Sequence, residues 1–214
     1  MNINKYIDHT NLKPYASKND IEKLCDEAIK NNFASVCVNP YYVGLAHELL
    51  IRSCVKVCTV VGFPLGQNTL AVKSFEAKLA LEEGADEIDM VINISALKDQ
   101  NYNYVLEEIK AIRDITKDNI LKVIIETCYL NKEEIIKATE ICNVARVDFI
   151  KTSTGYGIEG AKLEDVELIL KHKGEKVEVK ASGGIKNYEQ AKVFIGKGVT
   201  RIGTSNGIEI MEGI

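Results

Sequence analysis

Along the chain one pattern recurs: a short β-branched apolar run, a break containing Gly, Ser or Thr, then an amphipathic stretch of ten or more residues. The runs fall at 6–8, 35–38, 56–61, 87–91, 121–125, 148–150, 176–179 and 200–203, and helices are expected near 18–31, 40–51, 68–83, 97–116, 131–144, 162–173, 187–197 and 205–211. Ser17 and Asp20, three apart, offer a helix start, while Gly84, Gly174 and Gly198 stand where helices should stop. Eight units in 214 residues leave roughly 27 residues each, near the lower end for a barrel. The rival, a doubly wound open sheet, lacks a GxGxxG turn after the first run. The expectation is an α/β chain folded as one (β/α)8 TIM barrel spanning 1–214.

That architecture turns position into function, because barrel active sites form at the C-terminal ends of the strands. Two lysines are expected there, Lys151 after strand six and Lys180 after strand seven, each followed by small polar residues and glycine. Lysine is strongly hydrated and rarely buried, so its place at the end of an apolar run needs a reason. Adjacent strands would make the two neighbours, and an ammonium beside a lysine favours the free, nucleophilic amine of its partner. Strand four adds Asp89 among apolar residues, and strand one ends in Asp8-His9-Thr10. An amine, an ammonium and a carboxylate in one pocket suit Schiff-base formation followed by proton transfers.

The glycine-rich segments Ser182-Gly183-Gly184 and Gly203-Thr204-Ser205-Asn206-Gly207 fall where barrels bind phosphate. Gly155, Gly183, Gly184, Gly203, Ser205 and Asn206 are the expected phosphate contacts, which makes the substrate a phosphorylated small molecule. Formal net charge is -4 with the cations spread among acids, so neither nucleic acid nor a membrane surface is an expected partner. The start has no leader-like pattern and no stretch reaches about 18 apolar residues, which points to a cytoplasmic protein. The six cysteines form no CxxC pair and the three histidines have no metal-like spacing, so no metal is expected and the thiols read as buried and reduced. Cys54 and Cys58, four apart, read as a packed pair on one face of a strand. Lys122, at the start of strand five, reads as structural or supporting, either ion-paired inside the barrel or merely snorkelling, and Glu126 as catalytic or structural in equal measure.

The segments Ile7-Asp8-His9-Thr10-Asn11-Leu12, Val36-Cys37-Val38-Asn39-Pro40, Val61-Gly62-Phe63-Pro64-Leu65-Gly66, Glu87-Ile88-Asp89-Met90-Val91 and Lys122-Val123-Ile124-Ile125-Glu126-Thr127, with the stretches FIKTSTG around Lys151 and VKASGGI around Lys180, resemble the deoxyribose-phosphate aldolase family in order along nearly the whole chain. The resemblance implies a metal-free class I aldolase, without a cofactor, that interconverts 2-deoxy-D-ribose 5-phosphate with acetaldehyde and D-glyceraldehyde 3-phosphate. It implies Lys151 as the Schiff-base lysine, Lys180 as the lysine that perturbs it, Asp89 as the general acid/base and Asp8 as a further proton relay. A homodimer is the corresponding family expectation. Tyr156 departs from the pattern, standing where some members carry a basic residue. Two other classes stay open on the residues: a barrel isomerase or synthase acting on a phosphosugar, and a non-catalytic phosphosugar-binding protein.

Overall fold

The computed structural model describes residues 3–213. Expectations placed on the first two residues and the last one lie outside that range. Eight strands close into a parallel barrel in which each pairs with its sequence neighbour and β8 returns to β1. The strands are β1 (Ile7–Asn11), β2 (Ser35–Val38), β3 (Lys56–Val61), β4 (Glu87–Val91), β5 (Ile120–Ile124), β6 (Phe149–Lys151), β7 (Glu178–Ser182) and β8 (Arg201–Thr204). Around them lie α1 (Lys18–Asn31), α2 (Val43–Leu50), α3 (Leu70–Glu82), α4 (Ile94–Lys98), α5 (Tyr102–Ile115), α6 (Lys132–Ala145), α7 (Leu163–His172), α8 (Tyr188–Lys197) and α9 (Gly207–Glu212). The (β/α)8 barrel expected from the repeat is therefore the fold.

Strand residues alternate between two environments, as a period of two requires. One set, including Ile7, Val36, Val57, Ile88, Met90, Leu121, Val123, Ile150, Val179 and Ile202, joins the helices in one large apolar cluster. A second, small apolar cluster of Leu12, Cys37, Cys58 and Val60, with Phe63 against it, lies apart from the first. Buried charges, Asp8, Glu87, Asp89, Lys122, Lys151 and Lys180, occupy the other strand face.

Several helix ends follow directly from sequence. Ser17 accepts from the Asp20 backbone while Asp20 reaches back, a complete capping box, and Asn131 with Glu134 does the same at α6. The stretch expected as one helix over 97–116 is instead α4 and α5, broken at Asp99-Gln100-Asn101. Gln100 takes a left-handed φ of 58° and the Asn101 side chain caps the following helix. The expected helix at 40–51 begins as a 3-10 turn, Pro40–Tyr42, and Tyr6 closes another such turn rather than opening β1.

Candidate active site

Lys151 is the last residue of β6 and Lys180 the third of β7, and the two are direct register partners on adjacent strands. Both therefore lie within strands rather than after them, because β7 runs on through Ser182 before its glycines. Their ammonium nitrogens meet on one atom: Asp89 Oδ2 is 2.8 Å from Lys151 Nζ and 2.7 Å from Lys180 Nζ. All three residues are buried.

The surrounding charges form a single network. Asp8 Oδ2 lies 2.5 Å from Lys180 Nζ, and Asp8 Oδ1 accepts from Arg201 Nη1 at 2.7 Å and from Ser35 Oγ at 2.6 Å. Lys122 Nζ contacts Glu87 Oε2 at 2.6 Å and Asp89 Oδ1 at 2.8 Å. Arg201 also reaches Glu87 at 3.0 Å, with its guanidinium over the Phe149 ring. Lys180 reaches this depth because Gly203 has no side chain: a Cβ there would stand 3.0 Å from Lys180 Cε.

Burial would push Asp89 up, but Lys122, Lys151 and Lys180 outweigh it and hold its carboxyl well below the usual range. Asp8 behaves alike, burial being overcome by Arg201, Lys180 and Lys122. Burial would pull Lys180 down, but Asp8 and Asp89 keep it above the ordinary lysine value, and Asp89, Cys58 and Glu87 do the same for Lys122. Four cations thus face three carboxylates, Asp8, Glu87 and Asp89. Lys180 and Arg201 each pair with two carboxylates and Lys122 with three, Asp8 being the most distant at 3.8 Å, whereas Lys151 touches only Asp89, on an oxygen it shares. Lys151 is thus the network cation with the fewest carboxylate contacts.

Above this network opens a cavity of 420 Å³ lined by Lys151, Gly155, Gly183, Gly184, Gly203, Ser205 and Asn206, among others. All six expected phosphate contacts therefore line the same cavity as the nucleophile candidate, while Lys180, Asp89 and Asp8 do not reach its lining. The β6–α7 and β7–α8 loops are locked together here. Ala161 donates to the Ser182 and Gly183 carbonyls at 3.1 Å, and a Cβ on Gly160 would fall 2.1 Å from Gly183 O.

Glu126 plays a part the sequence left undecided. It sits at the end of β5 in a left-handed conformation, φ 52°, and its carboxylate receives both the backbone N–H of Thr154, at 3.2 Å, and the Thr154 hydroxyl. It thereby shapes the loop that follows Lys151. Of the two readings of Lys122 the ion pair is the one found, from the middle of β5 rather than its start. Arg201 and Glu87 were not singled out from sequence, although Glu87, two residues before Asp89, carries the signal of a shared strand face.

The cysteine reading needs correction. Cys54 is exposed in the turn before β3 and Cys128 is half-buried, so not every thiol is buried. Cys58 is register partner to Cys37, not packed with Cys54, and its Sγ lies 3.2 Å from Asp89 Oδ1. Cys37, Cys58 and Asp89 have ligand atoms within 4.8 Å of one another. The donor set suits no cation: Asp89 is already held by three ammonium groups, and burial pushes the Cys58 thiol up, against the thiolate a metal requires.

A closed parallel barrel with paired lysines on a carboxylate under a glycine-walled cavity places the protein among the barrel aldolases. Comparison with known proteins narrows that class. Residues 3–207 match the DeoC/LacD family aldolase, and the chain belongs to that family. The deoxyribose-phosphate aldolase of Thermococcus gammatolerans is 58% identical over 217 residues, taking in 100% of this chain and 96% of the relative. That of Finegoldia magna is 56% identical over 213 residues, with 100% of both chains covered. Among solved structures, "QR15, an Aldolase" superposes with a TM-score of 0.94 at 49% identity, covering 98% of this chain and 94% of that one. The deoxyribose phosphate aldolase of Aeropyrum pernix, described as having a unique tetrameric structure, gives 0.89 at 33% identity, covering 98% and 89%. No helix among the described residues is long and apolar enough to cross a membrane.

Proposed function

We propose that the protein cleaves 2-deoxy-D-ribose 5-phosphate reversibly to acetaldehyde and D-glyceraldehyde 3-phosphate through a Schiff base on Lys151. One observation carries the assignment of the nucleophile: of the four network cations, Lys151 is the one that lines the cavity. The names of the two relatives supply the substrate.

In the cleavage direction the Lys151 amine attacks the aldehyde carbon of the open-chain sugar, and the carbinolamine loses water to give an iminium. The new cation stands where Asp89 faces Lys151, so the carboxylate is placed to stabilise it. Loss of the C3 hydroxyl proton then breaks the C2–C3 bond. Its electron pair enters the iminium, leaving an enamine of acetaldehyde and free glyceraldehyde 3-phosphate. Protonation of the enamine carbon and hydrolysis release acetaldehyde and restore the amine. Asp89 and Lys180 orient Lys151 and exchange protons with it, and Asp8 holds Lys180 in place. The phosphate rests among Gly155, Gly183, Gly184, Gly203, Ser205 and Asn206, where backbone N–H groups meet it. No metal enters this scheme, since the iminium is the electron sink.

Borohydride reduction in the presence of acetaldehyde tests the proposal. It is expected to inactivate the enzyme and leave an ethyl group on Lys151, read by peptide mass spectrometry. A barrel isomerase or a phosphosugar binder forms no imine, so protein recovered unmodified and active would falsify the scheme.

A further inference from the structure

Beside the cavity over Lys151 lies a second one of 530 Å³, to which Asn39, Tyr41, Tyr42, Phe63 and Pro64 contribute without lining the first. The two share Leu12, Lys13 and Tyr156. Tyr156 is the only aromatic side chain common to both among the described residues, and it is pinned at three points. Its hydroxyl donates to the Leu12 carbonyl at 2.6 Å, across 144 positions of sequence. Its ring packs edge-on against Phe63, centroids 5.4 Å apart and planes at 88°. Its backbone N–H donates to Thr154 Oγ1 at 3.0 Å, and that hydroxyl in turn bonds Glu126. A half-exposed side chain with so many anchors is held there against the tendency of surface side chains to sample rotamers.

We propose that Tyr156 is the partition that confines the acceptor aldehyde to the phosphate side of the mouth, and that removing it joins the two cavities and admits unphosphorylated aldehydes with apolar tails. The inference rests on the aldolase reading and adds a residue that sets specificity to it. The second cavity suits such a tail, because Phe63, Pro64 and the tyrosines offer apolar surface while the glycine walls that meet phosphate lie on the other side. Asn39, at its back, caps no helix through its side chain and can be replaced without loss of a cap.

The test measures addition of acetaldehyde to hexanal and to D-glyceraldehyde 3-phosphate as a ratio of kcat/KM values. Tyr156→Ala is expected to shift the ratio toward hexanal by about tenfold or more, the scale on which a hydrophobic pocket discriminates. Tyr156→Phe keeps the ring against Phe63 and is expected to keep the wild-type ratio. Asn39→Leu added to Tyr156→Ala narrows the second cavity and is expected to take back most of the gain. Because Tyr156 is 50% exposed, its truncation leaves the core intact. An unchanged ratio in Tyr156→Ala, an equal shift in Tyr156→Phe, or no reversal by Asn39→Leu each overturns the partition. Borohydride trapping of acetaldehyde on each variant separates the two ideas: trapping on Lys151 with an unmoved ratio sinks the partition alone, while a wild type that traps nothing sinks the aldolase scheme and the partition with it.

Discussion

Two groups of buried ion pairs among the described residues behave in opposite ways. Outside the barrel, Lys73 of α3 pairs with Glu108 of α5 at 2.6 Å, and both are fully buried. Backbone completes the pair, with Lys73 Nζ donating to Val91 O at 2.7 Å and Glu108 accepting from Asn93 N–H at 2.9 Å. Here burial wins: it pulls Lys73 down and pushes Glu108 up, and each partner only partly restores the other. Inside the barrel the attraction among seven charges wins, so Asp8 and Asp89 are held down while Lys122 and Lys180 are held up. The pair is balanced, closed off by backbone and braces the end of β4. The network sets four cations against three carboxylates and opens one of those cations, Lys151, to a cavity. Balance makes a strut; under the proposed function, the imbalance marks the lysine that reacts.

Substitutions can break that contrast. The largest effect expected is on chemistry: Lys151→Met should lower the rate of deoxyribose phosphate cleavage about 10⁵-fold or more, the scale seen when a covalent nucleophile is removed. Thermal unfolding of the same variant should show no loss of stability, because the surplus cation is gone. A clear drop in its melting temperature would mean the network was balanced with Lys151 charged. Lys180→Met should cost about 10²- to 10⁴-fold, since Lys151 loses the neighbour with which it shares Asp89 Oδ2. A rate close to wild type would remove the pairing argument.

Lys73→Met should leave chemistry per folded molecule nearly unchanged while costing about 3–5 kcal/mol in denaturant unfolding, the penalty for stranding Glu108 as a buried charge. Replacing both, as Lys73→Met with Glu108→Leu, should return most of that loss. Acid provides the smallest and finest test. The folded values of Asp8 and Asp89 are depressed, so their contribution is present above about pH 4 and fades as pH falls further. Glu108 is raised, so its burial costs more as pH rises past its ordinary value and less as pH falls. Wild type and the double variant should therefore lose stability together below about pH 4, and an acid-insensitive protein would show that the network contributes nothing to folding.

Much of this was readable from residues. Strand period and glycine placement gave eight units, and apolar runs interrupted by Asp89, Lys122, Lys151 and Lys180 marked interior positions. What escaped depends on distance in space. Arg201 opens its strand and resembles any solvated residue until β8 closes on β1. Lys73 and Glu108 occupy helices whose periodicity cannot say which polar residue faces inward. The break at Gln100 hung on one left-handed residue within an otherwise helical stretch. Tyr156 looked like a missing cation, and only its tie to Leu12 gave it a positive role.

The barrel's first and last strands are joined by more than backbone. Asp8 on β1 finds its cations on β5, β7 and β8, and Arg201 completes both Asp8 and Glu87. A nascent chain that has not yet made its final strand holds carboxylates that water solvates better than any interior it could build. Collapse of a partial barrel is thus discouraged, and commitment to the native topology is expected late and all at once, through contacts of long sequence separation. The charges proposed to ready one lysine for chemistry are thus expected also to hold back folding until the last strand is present.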